Sequence, residues 1–236
     1  MSKLVGAAAY LYMCSGAVLG FFALVDIGSK RFSDAFLLIF LATLIDYSDG
    51  SISRWIRVDE MFPGIDSWKL DGVIDFVNLA LVPSYILWQA EILPPPPGLW
   101  VCLIILSSLY RFARRFEPDI EKGFYRGLPV LWIFPTYYAF FDILSPLLLG
   151  AVLVVMMVAG FTSAPFLHIA RYPADKVRNV LPLLAWWVIF WGVTQDILPG
   201  RRLWLLLSLM YPCYYVAASF YSARKKFWVA GRVVDR

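Results

Sequence analysis

The sequence has one histidine, three cysteines and few charges, with Lys, Arg, Asp and Glu making up 16% of its 236 residues. A lone histidine excludes a histidine-built metal site. His168 sits beside Arg171 and reads as a solvated loop residue rather than a catalytic base. Cys14, Cys102 and Cys213 lie in separate apolar runs without metal-ligand spacing, and their odd number argues against a disulfide framework. They read as small buried hydrophobes. There is no internal repeat, low-complexity tract or nucleic-acid motif. These absences exclude a secreted disulfide scaffold, a zinc module and a solenoid.

What is present is apolar. Hydrophobic residues make up 61% of the chain, against about 45–50% in an ordinary soluble domain. The composition predicts an all-α, polytopic transmembrane bundle in one domain, residues 1–236. Apolar segments begin with Leu4–Val25, long enough for a retained first span rather than a signal peptide. Others follow at about 33–53, 70–90, 98–114, 127–143, 146–166, 179–197 and 202–222. That gives about eight helices, with Pro94–Pro97 as a rigid turn before the fourth. Only Ser145-Pro146 separates the fifth and sixth, so the count is most open there.

With eight spans, 17 of the 21 Lys and Arg residues fall on one side, and Lys30, Arg31, Arg201 and Arg202 on the other. The positive-inside rule then turns the 17 toward the cytoplasm. Arg111, Arg114, Arg115, Arg224, Lys225 and Lys226 would lie near anionic headgroups there. The ten Trp and thirteen Tyr residues suit interface belts and helix packing.

Against this apolar background, four aspartates stand out on the same side. Asp46 and Asp49 are three residues apart and Asp71 and Asp75 four apart, so on helices each pair shares one face. A carboxylate at bilayer depth costs about 2.5–3.5 kcal/mol on insertion scales and marks a functional site by default. Two such helices side by side would aim four carboxylates at one point, and hard divalent cations are the simplest partner. Gly50 would let a ligand approach the backbone, and Arg54, one turn on, could grip a phosphate with its fork.

These residues carry a resemblance. Asp46, Asp49, Gly50, Ser53, Arg54, Ser67, Asp71 and Asp75 are similar to the motif D-x2-D-G-x2-A-R…G-x3-D-x3-D of the CDP-alcohol phosphotransferases. The twelve-residue spacer between Arg54 and Ser67 resembles that of the bacterial phosphatidylcholine synthase branch. S-G-A-V-L-G-F from Ser15, F-L-A-T-L-I-D before the motif, V-P-S-Y after it and S-L-M-Y-P-C-Y-Y near the C-terminus add to the likeness. Ser53 and Ser67 replace the motif alanine and glycine. In Gly127–Tyr138, Leu131 and Ile133 stand where that branch has tyrosine and asparagine.

The resemblance implies a membrane-embedded phosphotransferase with the fold of that family. Its substrates would be CDP-diacylglycerol and choline, or another small alcohol, and its products phosphatidylcholine and CMP. It implies Asp46, Asp49, Asp71 and Asp75 as ligands of two ions, Mn²⁺ or Mg²⁺, with Asp75 also the general base. Asp46, Gly50, Ser53, Arg54, Ser67 and Lys69 would bind the CDP moiety and its diphosphate. Asn78, Trp132, Tyr137 and Tyr138 are the candidate acceptor-binding residues, the aromatics as a cation-π surface. A homodimer and a bacterial inner-membrane location with the site facing the cytoplasm are further expectations. The other reading, an ion-coupled transporter using the aspartates as a relay, gives Gly50, Arg54 and the spacer no purpose.

Overall fold

The computed structural model describes residues 3–114, 123–169, 172 and 176–234. Arg115, Lys122, Arg171 and Arg236, which contribute to the basic bias, lie outside them. Helix fills the N-terminal half in long pieces: α1 (Lys3–Gly28), α2 (Phe32–Ile56) and the single turn α3 (Val58–Met61). The buried face of α1 is Gly6, Ala9, Met13, Gly16, Gly20, Ala23 and Ile27. Their spacing alternates three and four, and five of the seven are Gly or Ala. Apolar association gains little inside a bilayer, so small residues that admit a neighbouring backbone set the contact. This stripe presses α1 onto α2 and onto the next long helix.

That helix runs from Ser67 to Gln89. It comprises α4 (Ser67–Asp75), a π-helical segment (Phe76–Leu81) and α5 (Val82–Gln89). Asp66 caps it by accepting a hydrogen bond from the Lys69 backbone N–H at 3.1 Å. The wide turns sit just before Pro83, whose ring would press on the Leu79 carbonyl in a regular α-helix. Within the π segment, Asn78 is buried, and its Nδ2 donates to the Gly16 carbonyl of α1 at 3.1 Å.

The second half comprises α6 (Pro97–Ala113), β1 (Phe124–Arg126), α7 (Ile133–Phe140), α8 (Pro146–Phe161), β2 (Pro165–Leu167), α9 (Lys176–Thr194), α10 (Arg201–Ser208) and α11 (Met210–Val234). Each of the eight expected segments contains helix. Among the described residues, four helices are long and apolar enough to cross a membrane, α1, α2, Ser67–Gln89 and Arg201–Lys225, with shorter apolar ones at α6 and α8. The chain is a multi-pass membrane protein built as a helical bundle.

The fifth segment departs from its expectation. A helix over about 127–143 was expected, but only eight residues form one. Gly127 has φ +83°, and a Cβ there would lie 2.6 Å from the Gly160 carbonyl oxygen. Pro129 has no N–H to give a helix. The Gly127 and Leu128 N–H groups donate instead to the carbonyls of Ala164 (2.7 Å) and Ala159 (3.1 Å). The stretch still connects the two ends of the bundle, since Phe140 meets Phe32 at the start of α2. Six non-helical residues and eight helical ones together reach about 30 Å, one hydrocarbon thickness. None of residues 127–140 is exposed, which is the condition for non-helical backbone at membrane depth.

Strands β1 and β2 form a two-stranded antiparallel ribbon pairing Phe124 with Leu167, Tyr125 with Phe166 and Arg126 with Pro165. It is fastened to α11, where Ser219 Oγ accepts from the Leu167 N–H and Tyr215 donates to the Leu167 carbonyl, both at 3.0 Å. Arg114 ties the end of α6 to the ribbon and to α8 through the carbonyls of Arg126 and Thr162, each at 3.2 Å. The cysteines also differ from expectation: Cys14 is half-buried and Cys102 and Cys213 are exposed. Their places on outward helix faces suit acyl chains as surroundings.

The α1 interface makes a graded prediction. A Cβ at Gly20 would fall 2.2 Å from the buried Asn78 Oδ1 and 2.9 Å from Val77, whereas one at Gly16 meets nothing nearer than 3.2 Å. Gly20→Ala should cost about 1–3 kcal/mol by overpacking, and Gly16→Ala less. Thermal unfolding of the purified full chain, followed by size-exclusion, checks the order.

Candidate metal centre

The site is built where the last two turns of α2 run beside the start of α4. Asp46, Asp49, Gly50, Ser53 and Arg54 all belong to α2. The left-handed Arg57, with φ 58°, ends that helix, and α3 and the Asp66 cap return the chain so that α4 brings Asp71 and Asp75 alongside. Asp49 is buried at 3% exposure, and Asp46, Asp71 and Asp75 are half-buried. One carboxylate oxygen from each of Asp46, Asp49 and Asp71 lies within 4.8 Å of the other two. The Asp75 carboxyl lies beside that of Asp46.

These donors fit a hard divalent ion. With metal–oxygen bonds of about 2.1 Å, ligands on opposite sides of an ion are about 4.2 Å apart, so little movement would close the three carboxylates around one. Without a cation, negative charges this close repel strongly in a partly desolvated setting. The Arg54 charge acts on Asp49. Its guanidinium is exposed, donates to Ser51 Oγ at 3.3 Å and passes over Gly50, where a Cβ would meet only Arg54 Nη1, at 3.3 Å. Gly50 therefore leaves an open face beside the aspartates, with a guanidinium at its edge. On the other side of α2, the Tyr12 and Ser48 hydroxyls share a 2.7 Å hydrogen bond that fixes α1 at the same level.

No family model matches the chain. Curated relatives do. A phosphatidylcholine synthase of Bradyrhizobium diazoefficiens is 30% identical over 195 residues, 79% of this chain and 70% of that protein. The chain belongs to the phosphatidylcholine synthase family. Further relatives of the same name come from Agrobacterium fabrum, 29% identical over 178 residues (75% of this chain, 73% of the relative), and Legionella pneumophila, 25% identical over 220 residues (90% and 86%).

In this member of the phosphatidylcholine synthase family, the remaining sequence candidates are dispersed. Ser53 is buried in α2 and Ser67 half-buried at the start of α4. Lys69 is exposed and pairs with Asp66 at 3.0 Å. This pair and the Lys69 N–H hold the Asp66 carboxyl below its ordinary pKa. The acceptor set is not brought together. Asn78 joins α4–α5 to α1. Trp132 Nε1 donates to Ser108 Oγ at 2.7 Å, in the packing cluster around Ile104 and Leu149. Tyr137 and Tyr138 belong to the other cluster, with Trp186 and Phe190. The Tyr138 oxygen accepts from Trp186 Nε1 at 2.9 Å and shares a 2.9 Å hydrogen bond with Ser208. Trp132 is the N-cap of α7, and five and six residues along a helix Tyr137 and Tyr138 point away from it.

Sequence reasoning missed a group on the ribbon. The Tyr125 ring stacks on His168 at 4.6 Å and 11°, and the Arg111 guanidinium lies 5.8 Å over it. Arg111 Nε also donates to the Leu128 carbonyl at 3.3 Å. His168 is half-buried, so the expectation of a freely solvated residue does not hold. Burial, and then the charges of Asp75, Asp46 and Asp71, raise the Tyr125 phenol above its ordinary pKa. The available signal was Gly123 and Gly127, four residues apart around F-Y-R and both at positive φ.

The carboxylate cluster predicts its own dependence. Asp49→Asn and Asp71→Asn should each weaken Mn²⁺ binding by at least about tenfold, with Lys69→Ala near wild type, as read by titration with EPR detection. Mn²⁺ affinity should also fall on acidification, because the ligands bind as carboxylates.

Proposed function

We propose that the chain is a phosphatidylcholine synthase of the CDP-alcohol phosphotransferase type, transferring the phosphatidyl group of CDP-diacylglycerol to choline with release of CMP. The observation that carries this reading is the convergence of acidic oxygens from two adjacent membrane helices, in a chain of the phosphatidylcholine synthase family. When bound by Asp46, Asp49, Asp71 and Asp75, divalent cations, two by the family resemblance and either Mg²⁺ or Mn²⁺, would offset charge on the diphosphate and on the departing CMP.

The protein groups do the rest. The choline oxygen attacks the lipid-bearing phosphorus, a new P–O bond forms, and the bond to the CMP oxygen breaks. Asp75 takes the proton from the choline hydroxyl. Arg54 grips the phosphate oxygens in a forked contact, and the open face of Gly50 admits the nucleotide with Ser53 and Ser67 beside it. Lys69 would join only after leaving Asp66. The basic bias supports an inner-membrane protein with the aspartates toward the cytoplasm, where a CDP-linked donor would be supplied. We read it as a homodimer by family resemblance.

A second acceptor alcohol is the competing reading, favoured by Leu131 and Ile133. Purified protein given CDP-diacylglycerol, Mn²⁺ and a panel of alcohols should release CMP fastest with choline. Asp75→Asn should lower that release by more than about a hundredfold. Release with another alcohol but not with choline would select the competing reading, and no release with any alcohol would refute both.

A further inference from the structure

The β1–β2 ribbon carries an aromatic hydroxyl toward the metal centre that no step above uses. Phe112, at the end of α6, packs against Phe76 at 6.2 Å and sits 4.0 Å from where a Gly72 side chain would begin. The end of α6 therefore lies against the Asp71–Asp75 turn. Arg111, the preceding residue, reaches across to the ring of Tyr125. The ring is held from two directions, by the parallel His168 ring and by the guanidinium, and its backbone is paired to Phe166 in the ribbon. The Tyr125 phenol thus stands opposite the α4 carboxylates, within reach of the charges of Asp75, Asp46 and Asp71.

A carboxylate bound to a cation keeps lone pairs that an outer donor can take, and a phosphate resting on the same cations likewise keeps oxygens pointing away from them, closer to an incoming ring. A phenol O–H is a donor at neutral pH, and a hydrogen bond to an anionic oxygen is stronger than a neutral one. We propose that Tyr125 donates this hydrogen bond to a phosphate oxygen of the CDP-linked substrate, with His168 and Arg111 as positioning residues that fix its ring. The inference rests on the reading of the site as a CDP-alcohol centre. It assigns Tyr125 to the phosphate and not to the cytidine base or the acceptor.

The test is equilibrium binding of CDP and of cytidine, each with Mg²⁺, to the purified full chain, comparing wild type, Tyr125→Phe and His168→Ala. Tyr125→Phe keeps the ring and its stack and removes only the hydroxyl. It should weaken CDP binding about tenfold and leave cytidine binding unchanged. His168→Ala should give a smaller loss in CDP binding alone. CDP binding by Tyr125→Phe within twofold of wild type would overturn the assignment, as would an equal loss toward cytidine. Wild type that binds CDP but releases no CMP with any alcohol would refute the proposed function, while the Tyr125 assignment would still be decided by the binding series. Wild type that binds no CDP would overturn both.

Discussion

Carboxylates held together at the edge of a bilayer govern this molecule. One ionised aspartate there is costly, and several sharing a few ångströms repel one another as well. The chain nevertheless places Asp46, Asp49 and Asp71 with oxygens within 4.8 Å and seats Asp75 against Asp46. Helix packing alone gives no return on that expense, whereas a bound cation offsets it. The cluster also depends on the backbones of α1, α2 and α4 running close together, and the small residues of α1 provide that closeness. Gly20 leaves room for Asn78, which crosses to the Gly16 carbonyl and fixes the helix that bears Asp71 and Asp75.

The second half of the chain closes the site from the other side. Gly127 and Pro129 interrupt what would otherwise be a full helix, and the interruption lets the β1–β2 ribbon fold against α11. Buried neighbours make the break tolerable in lipid, because α6 and α8 shield its backbone and Ala159 and Ala164 accept its N–H groups. Arg111 and Arg114, at the end of α6, work as fasteners for this region. Attraction to a charged membrane surface is at most part of their role.

How much of this is legible in the residues depends on the range of the interaction. The aspartate pairs are local: spacings of three and four on apolar helices put each pair on one face, and one contact between helices then unites them. The helical bundle follows from hydropathy for the same reason. Hydropathy does not tell a buried extended run from a buried helix, so the break at 127–132 showed only as one glycine and one proline in an apolar stretch. Trp132, Tyr137 and Tyr138 look like neighbours along the chain, yet offsets of five and six residues on one helix turn them to different faces and different packing clusters. Tyr125 comes near the aspartates only through ribbon pairing with residues some forty positions away. The Lys69 ion pair is local as well, since an aspartate three residues before it at a helix start already suggests the Asp66 cap and pair.

The central claim is that α2 and α4 share bound divalent cations. Its most direct measurement is the anomalous scattering of crystals of the full chain grown with Mn²⁺. The predicted result is a manganese peak between the two helices, about 2.1–2.2 Å from carboxylate oxygens of Asp46, Asp49 and Asp71. Manganese peaks found only elsewhere, with those carboxylates turned apart, would contradict it.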